Sequence, residues 1–201
     1  MNLLKNIIKR LKKNKKDVSF KSRELWNQQF KDGKWSFLGS KSKIGHYLTI
    51  IGCIVGLKKR PNILDVGCGQ GVLLKYLDPI NFNKYLGIDF SSEAIKQARD
   101  FENNQISFSV SKIENWKSNK KFDIIIFNES IYYLENPIEI LHEYNKNLSE
   151  GGFYIISICR YKNNYKIWEK LKDQFKIECE FHIPGEEMAW DVKVISKQIL
   201  L

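Results

Sequence analysis

Ile63-Leu64-Asp65-Val66-Gly67-Cys68-Gly69-Gln70-Gly71 joins an apolar run to three glycines at alternate positions, with a carboxylate two residues ahead of the first glycine. Asn62 to Val66 reads as a short buried strand, and Val72 to Leu77 reads as the start of a helix. Glycines in such a turn leave no Cβ in the way of a ligand and accept positive φ freely. The turn therefore lies at the carboxyl end of a strand, where open α/β sheets bind their ligands.

Charge narrows the ligand. A dinucleotide fingerprint of the form G-x-G-x-x-G/A needs glycine or alanine at position 72, where the chain has Val72. Asp65 beside the turn disfavours a pyrophosphate and favours an ammonium or sulfonium group, which S-adenosylmethionine carries. On Asp65-Val66-Gly67-Cys68-Gly69-Gln70-Gly71, the chain resembles the first motif of class I S-adenosylmethionine-dependent methyltransferases. That resemblance implies a three-layer, Rossmann-like α/β fold. Its seven-stranded sheet, in the order 3-2-1-4-5-7-6, is mostly parallel and ends in an antiparallel C-terminal hairpin.

Around the motif, helical and strand patterns alternate from about residue 60 onward, the mark of a parallel sheet. Strands are expected at Tyr85 to Ile88, Ile106 to Val110, Phe122 to Phe127 and Gly152 to Ile158. Helices are expected over 22–31, 40–57, 91–103, 137–148 and 161–173. Two runs rich in β-formers, Phe175 to Ile183 and Ala189 to Ser196, flank Pro184-Gly185-Glu186-Glu187 and read as the hairpin. Leu148-Ser149-Glu150-Gly151-Gly152 resembles the family's late motif, in which Gly151 and Gly152 supply positive φ where a helix stops.

Asp89 ends the Tyr85 strand at the position where a carboxylate accepts hydrogen bonds from ribose hydroxyls, though an aspartate this close to Ser91 also suits a helix cap. The family resemblance places Gly67, Cys68 and Gly69 against the cofactor and Ile88 and Phe90 beside the adenine. Lys112 stands where the family commonly has an aspartate for the adenine amino group, and a lysine cannot accept that bond. Ser111 or a backbone carbonyl is then the substitute acceptor, unless the register shifts by a residue or two, and the Ile113 amide is left to meet the ring. Asn128, at the end of the Phe122 strand, is expected beside the methionine part. Tyr47 is placed near the cofactor's carboxylate.

For catalysis the candidates are Glu129, His46 and Tyr133. Methyl transfer is an in-line displacement at sulfonium, which asks the protein to hold the nucleophile, exclude water and take up a proton. Glu129 or His46 suits the proton, and Tyr133 an acceptor contact; loop ion pairing, helix surface and core packing are the respective structural alternatives. No metal-ligand spacing occurs. Trp35, Phe37, Tyr132 and Trp190 offer aromatic surface for a small acceptor, and the composite resembles small bacterial members associated with glycans or secondary metabolites. O-methylation of a sugar, glycan precursor or related metabolite is the first expectation. N-methylation of a small amine and a catalytically silent cofactor-binding partner protein are the others.

The chain has 201 residues, 43% of them apolar, which suits one domain with a sizeable core over residues 22–201, as monomer or homodimer. Its net charge of +10 is uneven: eight of the first 21 residues are cationic and only Asp17 opposes them. Leu3, Leu4, Ile7, Ile8 and Leu11 recur there at helical spacing, so this tail reads either as a solvated extension or as a basic helix on an anionic membrane. No basic stripe interleaved with aromatics points to nucleic acid. Cys53, Cys68, Cys159 and Cys179 read as reduced and buried, and a signal peptide is not evident, which together suggest the cytoplasm.

Overall fold

Buried strands with near-continuous apolar faces dictate the architecture. In a computed structural model describing residues 22–161, 163–185 and 188–198, seven strands form one sheet in the order β3-β2-β1-β4-β5-β7-β6. In chain order the strands are β1 (Asn62–Val66), β2 (Lys84–Asp89), β3 (Ile106–Val110), β4 (Phe122–Asn128), β5 (Leu148–Cys159), β6 (Phe175–Ile183) and β7 (Trp190–Lys197). The first five are mutually parallel, while β7 runs antiparallel to both β5 and β6. The expected fold and strand order are observed.

Helices α1 (Ser22–Lys31), α2 (Ile44–Leu57), α3 (Ser92–Ala98), α4 (Pro137–Tyr144) and α5 (Lys166–Leu171) complete the layers. One core lies between the sheet and the face carrying α2 and α3, where Tyr47, Ile50, Ile54 and Ile95 meet Ile63, Tyr85 and Val192. The other lies under α4 and α5, where Leu141, Tyr144, Trp168 and Leu171 meet Leu64, Ile125 and Ile156. Full burial of such side chains contributes about 1.5–3 kcal/mol each.

Several expectations are corrected. The helix after the glycine turn is one 3-10 turn, Val72–Lys75, because Asp78 and Pro79 start a second short turn before β2. The expected helix 40–57 starts only at Ile44, after a 3-10 turn at Lys41–Lys43, the 91–103 helix is regular only over Ser92–Ala98, the 137–148 helix stops at Tyr144, and the 161–173 helix narrows to Lys166–Leu171. Leu148-Ser149-Glu150 belongs to β5 rather than to a helix end, and only Gly151 has positive φ. A Cβ on Gly152 would come within 3.0 Å of the Asp123 carbonyl oxygen, so that glycine serves close packing.

The four cysteines are free thiols, Cys53 and Cys159 buried, Cys68 and Cys179 half-buried. The basic stretch 1–21 and the hairpin residues Glu186 and Glu187 lie outside the described residues. Among the described residues no helix is long and apolar enough to cross a membrane.

Candidate active site

The site forms where the sheet order reverses, at the carboxyl ends of β1, β2 and β4. Gly67, Gly69 and Gly71 have φ of 79°, 56° and 75°. The amides of Gly67 and Cys68 both donate to the Ile88 carbonyl, at 2.8 and 3.0 Å, fastening the turn to β2. Ser130 arrives from the other side, its hydroxyl donating to the Val66 carbonyl at 2.6 Å. A Cβ at position 67 would stand 2.5 Å from the Ser130 Cβ, so glycine is required there on two grounds, conformation and space.

Asp89 ties the turn to the start of α3. Its Oδ2 accepts the Gly69 amide at 3.0 Å and its Oδ1 the Ser91 amide at 2.8 Å. Each carboxylate oxygen keeps a further lone pair for a ligand hydroxyl. Burial raises its pKa to about 6, against the amide bonds that favour the charged form.

Asp65 is buried at the base of the turn, and Tyr85 donates its hydroxyl to Oδ2 at 2.5 Å. Its Oδ1 is buried without a hydrogen-bond partner, as is Oδ1 of Asn128 on β4, whose amide faces the Tyr47 hydroxyl. Two unsatisfied acceptors thus flank the turn, an arrangement that suits a cationic amino group. Desolvation pushes Asp65 up to about 7.

Glu129 follows β4 with φ of 57°, a left-handed conformation that is strained for a residue with a Cβ. Its amide donates to the Ser157 carbonyl at 3.0 Å, and its Oε2 accepts the Tyr132 hydroxyl at 3.1 Å. Oε1 is buried and unpartnered. Desolvation holds its pKa at about 7, moderated by the bonds from its neighbours and by the Lys43 charge.

His46 is 2% exposed, its two ring nitrogens have no partner, and it stacks on Trp190 with centroids 4.9 Å apart. Burial and the Lys43 charge lower its pKa to about 3, leaving a neutral imidazole of low basicity. Of the two tyrosines, it is Tyr132 that reaches Glu129, while Tyr133 is 49% exposed and meets Trp26 edge-on at 5.3 Å.

The Cys68 thiol is turned towards β2, packing where a Cβ on Gly87 would stand. Lys112 and Ile113 lie in the loop after β3, and the Ile113 carbonyl accepts the Tyr144 hydroxyl at 2.9 Å. Trp35 and Trp190 are buried walls rather than the open surface expected of them. Among the described residues no cluster of His, Cys, Asp and Glu is arranged to hold a metal.

Helix α1 lies across this site, a feature the sequence did not announce. Trp26 stacks on Trp35 at 4.7 Å and touches both Phe90 at 5.9 Å and Tyr133 at 5.3 Å, bridging the ends of β2 and β4. The Phe30 ring comes within 3.8 Å of the Cβ position of Gly69. Asn27 accepts from the Ser91 hydroxyl at 2.7 Å, and Gln97 donates to the Phe30 carbonyl at 3.1 Å, docking α1 on α3. Also unforeseen were Ser130, Tyr132 as the partner of Glu129, and Lys43, whose one signal was its spacing three residues ahead of His46.

Comparison with known proteins agrees with this geometry. Residues 57–198 match the family described as methyltransferase domain. Ubiquinone biosynthesis O-methyltransferase of Candida albicans is 29% identical over 102 residues, 47% of this chain and 31% of that protein. Malonyl-[acyl-carrier protein] O-methyltransferase 1 of Ilyobacter polytropus is 28% identical over 119 residues, 58% of this chain and 44% of that protein. The chain thus spans less than half the length of these two curated relatives. The N-methyltransferase NodS of Bradyrhizobium japonicum WM9, solved with S-adenosyl-l-homocysteine, superposes with a TM-score of 0.71 at 17% identity. That match covers 88% of this chain and 98% of that one, and shows the shared fold. The glycine cradle, the two unpartnered acceptors beside it and the carboxylate at the end of β2 fit S-adenosylmethionine as cofactor. The chain belongs to the methyltransferase-domain family.

Proposed function

We propose that residues 22–201 act as one catalytic domain that transfers the methyl group of S-adenosylmethionine to an oxygen of a small acceptor, a sugar, glycan precursor or related metabolite. The observation that carries this reading is Glu129: a buried carboxyl, half bonded to Tyr132 and half unpartnered, next to the cofactor-side Asn128. When bound, the cofactor supplies an electrophilic methyl group on a cationic sulfur. Asp65 and Asn128 hold its amino group, Asp89 its ribose hydroxyls, and Phe90 with the loop at Ile113 flanks its adenine. Glu129, with a pKa of about 7, is ionised in part at neutral pH and takes the proton of an acceptor hydroxyl as its oxygen attacks. His46, neutral and hydrogen-bond-competent, orients the acceptor rather than deprotonating it. The covering aromatics Trp26, Phe30 and Trp35 keep water from the reacting atoms.

The test is calorimetry with S-adenosylmethionine and S-adenosylhomocysteine, followed by transfer of labelled methyl to pooled sugars and hydroxylated metabolites. Binding of both and label in an oxygen ether or ester is the expected result. Failure to bind either compound removes the reading, and label found only on nitrogen replaces it with amine methylation.

A further inference from the structure

Lys43 is placed against two general preferences at once. It occupies the N-cap position of α2, where the helix dipole is unfavourable to a cation, and it is 8% exposed, where an ammonium loses its hydration. Among the described residues no carboxylate lies within ion-pair distance of it, whereas Arg160 is paired with Asp191 and Lys193 with Glu180. Its Nζ instead sits 4.7 Å over the ring of Trp190, the same ring on which His46 stacks. The charge of Lys43 is felt by both His46 and Glu129. Around it, then, are the unpartnered ring nitrogens of His46 and the unpartnered Oε1 of Glu129. Cation, imidazole and carboxyl are gathered without satisfying one another.

A ligand group that completes this set must bring negative charge to Lys43, accept from an imidazole N–H and either give a proton to Glu129 or accept one from it. An amine fails the first requirement, since its protonated form puts a second cation beside Lys43. An ionisable oxygen meets all three. We propose that Lys43 is the counter-cation of the acceptor, and that the atom methylated here is the oxygen of an acid, a carboxylate or an acidic hydroxyl, rather than an amine nitrogen. The inference rests on the methyl-transfer reading and narrows its sugar class to acceptors bearing such a group. In the step itself the acceptor oxygen forms the new bond to the methyl carbon, and the sulfur–methyl bond breaks with its electron pair staying on sulfur. The proton of an un-ionised hydroxyl goes to Glu129; an ionised carboxylate has none to lose.

Benzoate, 4-nitrophenol and benzylamine are matched one-ring probes of carboxylate, acidic hydroxyl and ammonium. Titrated by calorimetry into the full chain saturated with S-adenosylhomocysteine at neutral pH, at least one of the two acids is expected to bind about tenfold or more tightly than the amine. Lys43→Met should abolish that preference and Lys43→Arg retain it. The affinity for S-adenosylhomocysteine should change by less than about twofold in both variants, which also shows that each is folded. Benzylamine binding as tightly as the acids, neither acid binding, or a preference that survives in Lys43→Met overturns the inference while leaving methyl transfer standing. Failure of the wild-type chain to bind S-adenosylhomocysteine removes the methyl-transfer reading, and this inference with it.

Discussion

Glutamine at position 129 should make the protein more stable and nearly inactive, in a pH-dependent way that the geometry fixes. Burial raises the Glu129 pKa from 4.5 to about 7, so the folded chain holds this proton more tightly than the unfolded one. Below about pH 4.5 both states are protonated and the residue is neutral in effect; between there and about pH 7 the unfolded chain loses the proton first and the penalty grows, and above the folded pKa it is constant. The shift corresponds to roughly 3 kcal/mol, and side-chain relaxation and residual solvent access reduce it to about 1–3 kcal/mol. Glutamine retains an acceptor for the Tyr132 hydroxyl and has nothing to ionise. Urea unfolding of the cofactor-free protein should therefore show Glu129→Gln about 1–3 kcal/mol more stable than wild type near pH 8, with the difference shrinking below pH 7 and vanishing near pH 4. Asp65 and Asp89 carry shifts of the same sign, but they are common to both proteins and cancel in the difference. Methyl transfer to a hydroxyl acceptor should fall by about a hundred to ten-thousand fold with cofactor affinity retained. A variant no more stable at the higher pH would refute the buried-acid argument, and undiminished turnover would refute the role of base.

Gly67→Ala should lose about 2–5 kcal/mol in thermal or urea unfolding, from a left-handed backbone worth about 1–2 and overlap with Ser130 worth about 1–3. Measured against Ser130→Gly alone, which forfeits the bond to the Val66 carbonyl, the cost of Gly67→Ala should shrink by the overlap part only, so that an undiminished cost in that background contradicts the stated clash. Trp26→Ala removes contacts to Trp35, Phe90 and Tyr133, each worth about 0.5–1.5 kcal/mol. Stopped-flow measurement should show S-adenosylhomocysteine leaving about tenfold faster or more, with its association rate little changed; an unaltered departure rate would mean that α1 does not cover the ligand.

The sheet was legible because its central strands β1 and β4 are nearly continuous apolar runs with few exposed positions, while the edge strands β3 and β6 alternate apolar and polar residues, and both patterns admit few alternatives. Asn62–Val66, Ile106–Val110 and Phe175–Ile183 have the bounds expected of them. Helices were overextended at their ends, as at Arg99–Phe101, which tightens into a 3-10 turn while Phe101 packs on the core. The glycine turn and Asp89 were readable since a local motif carries their chemistry. What could not be read was whatever depends on distant pieces meeting. Asn27 and Ser91 are 64 residues apart, and no periodicity near Trp26 marks it as a bridge between the ends of β2 and β4. Choosing between Tyr132 and Tyr133 likewise needed the backbone of the turn that presents them.

The single 3-10 turn after Gly71 bears on how far this scaffold can be repurposed. A long helix starting there would direct about half a unit of positive charge at the ligand and make the loop a cradle for phosphate. One 3-10 turn aligns too few peptide dipoles to do so. Exchanging Asp65 for a neutral residue would consequently not turn the chain into a nucleotide binder; a redesign would also have to rebuild residues 72 to 83 as a helix, shifting the 3-10 turn at Pro79 out of its path.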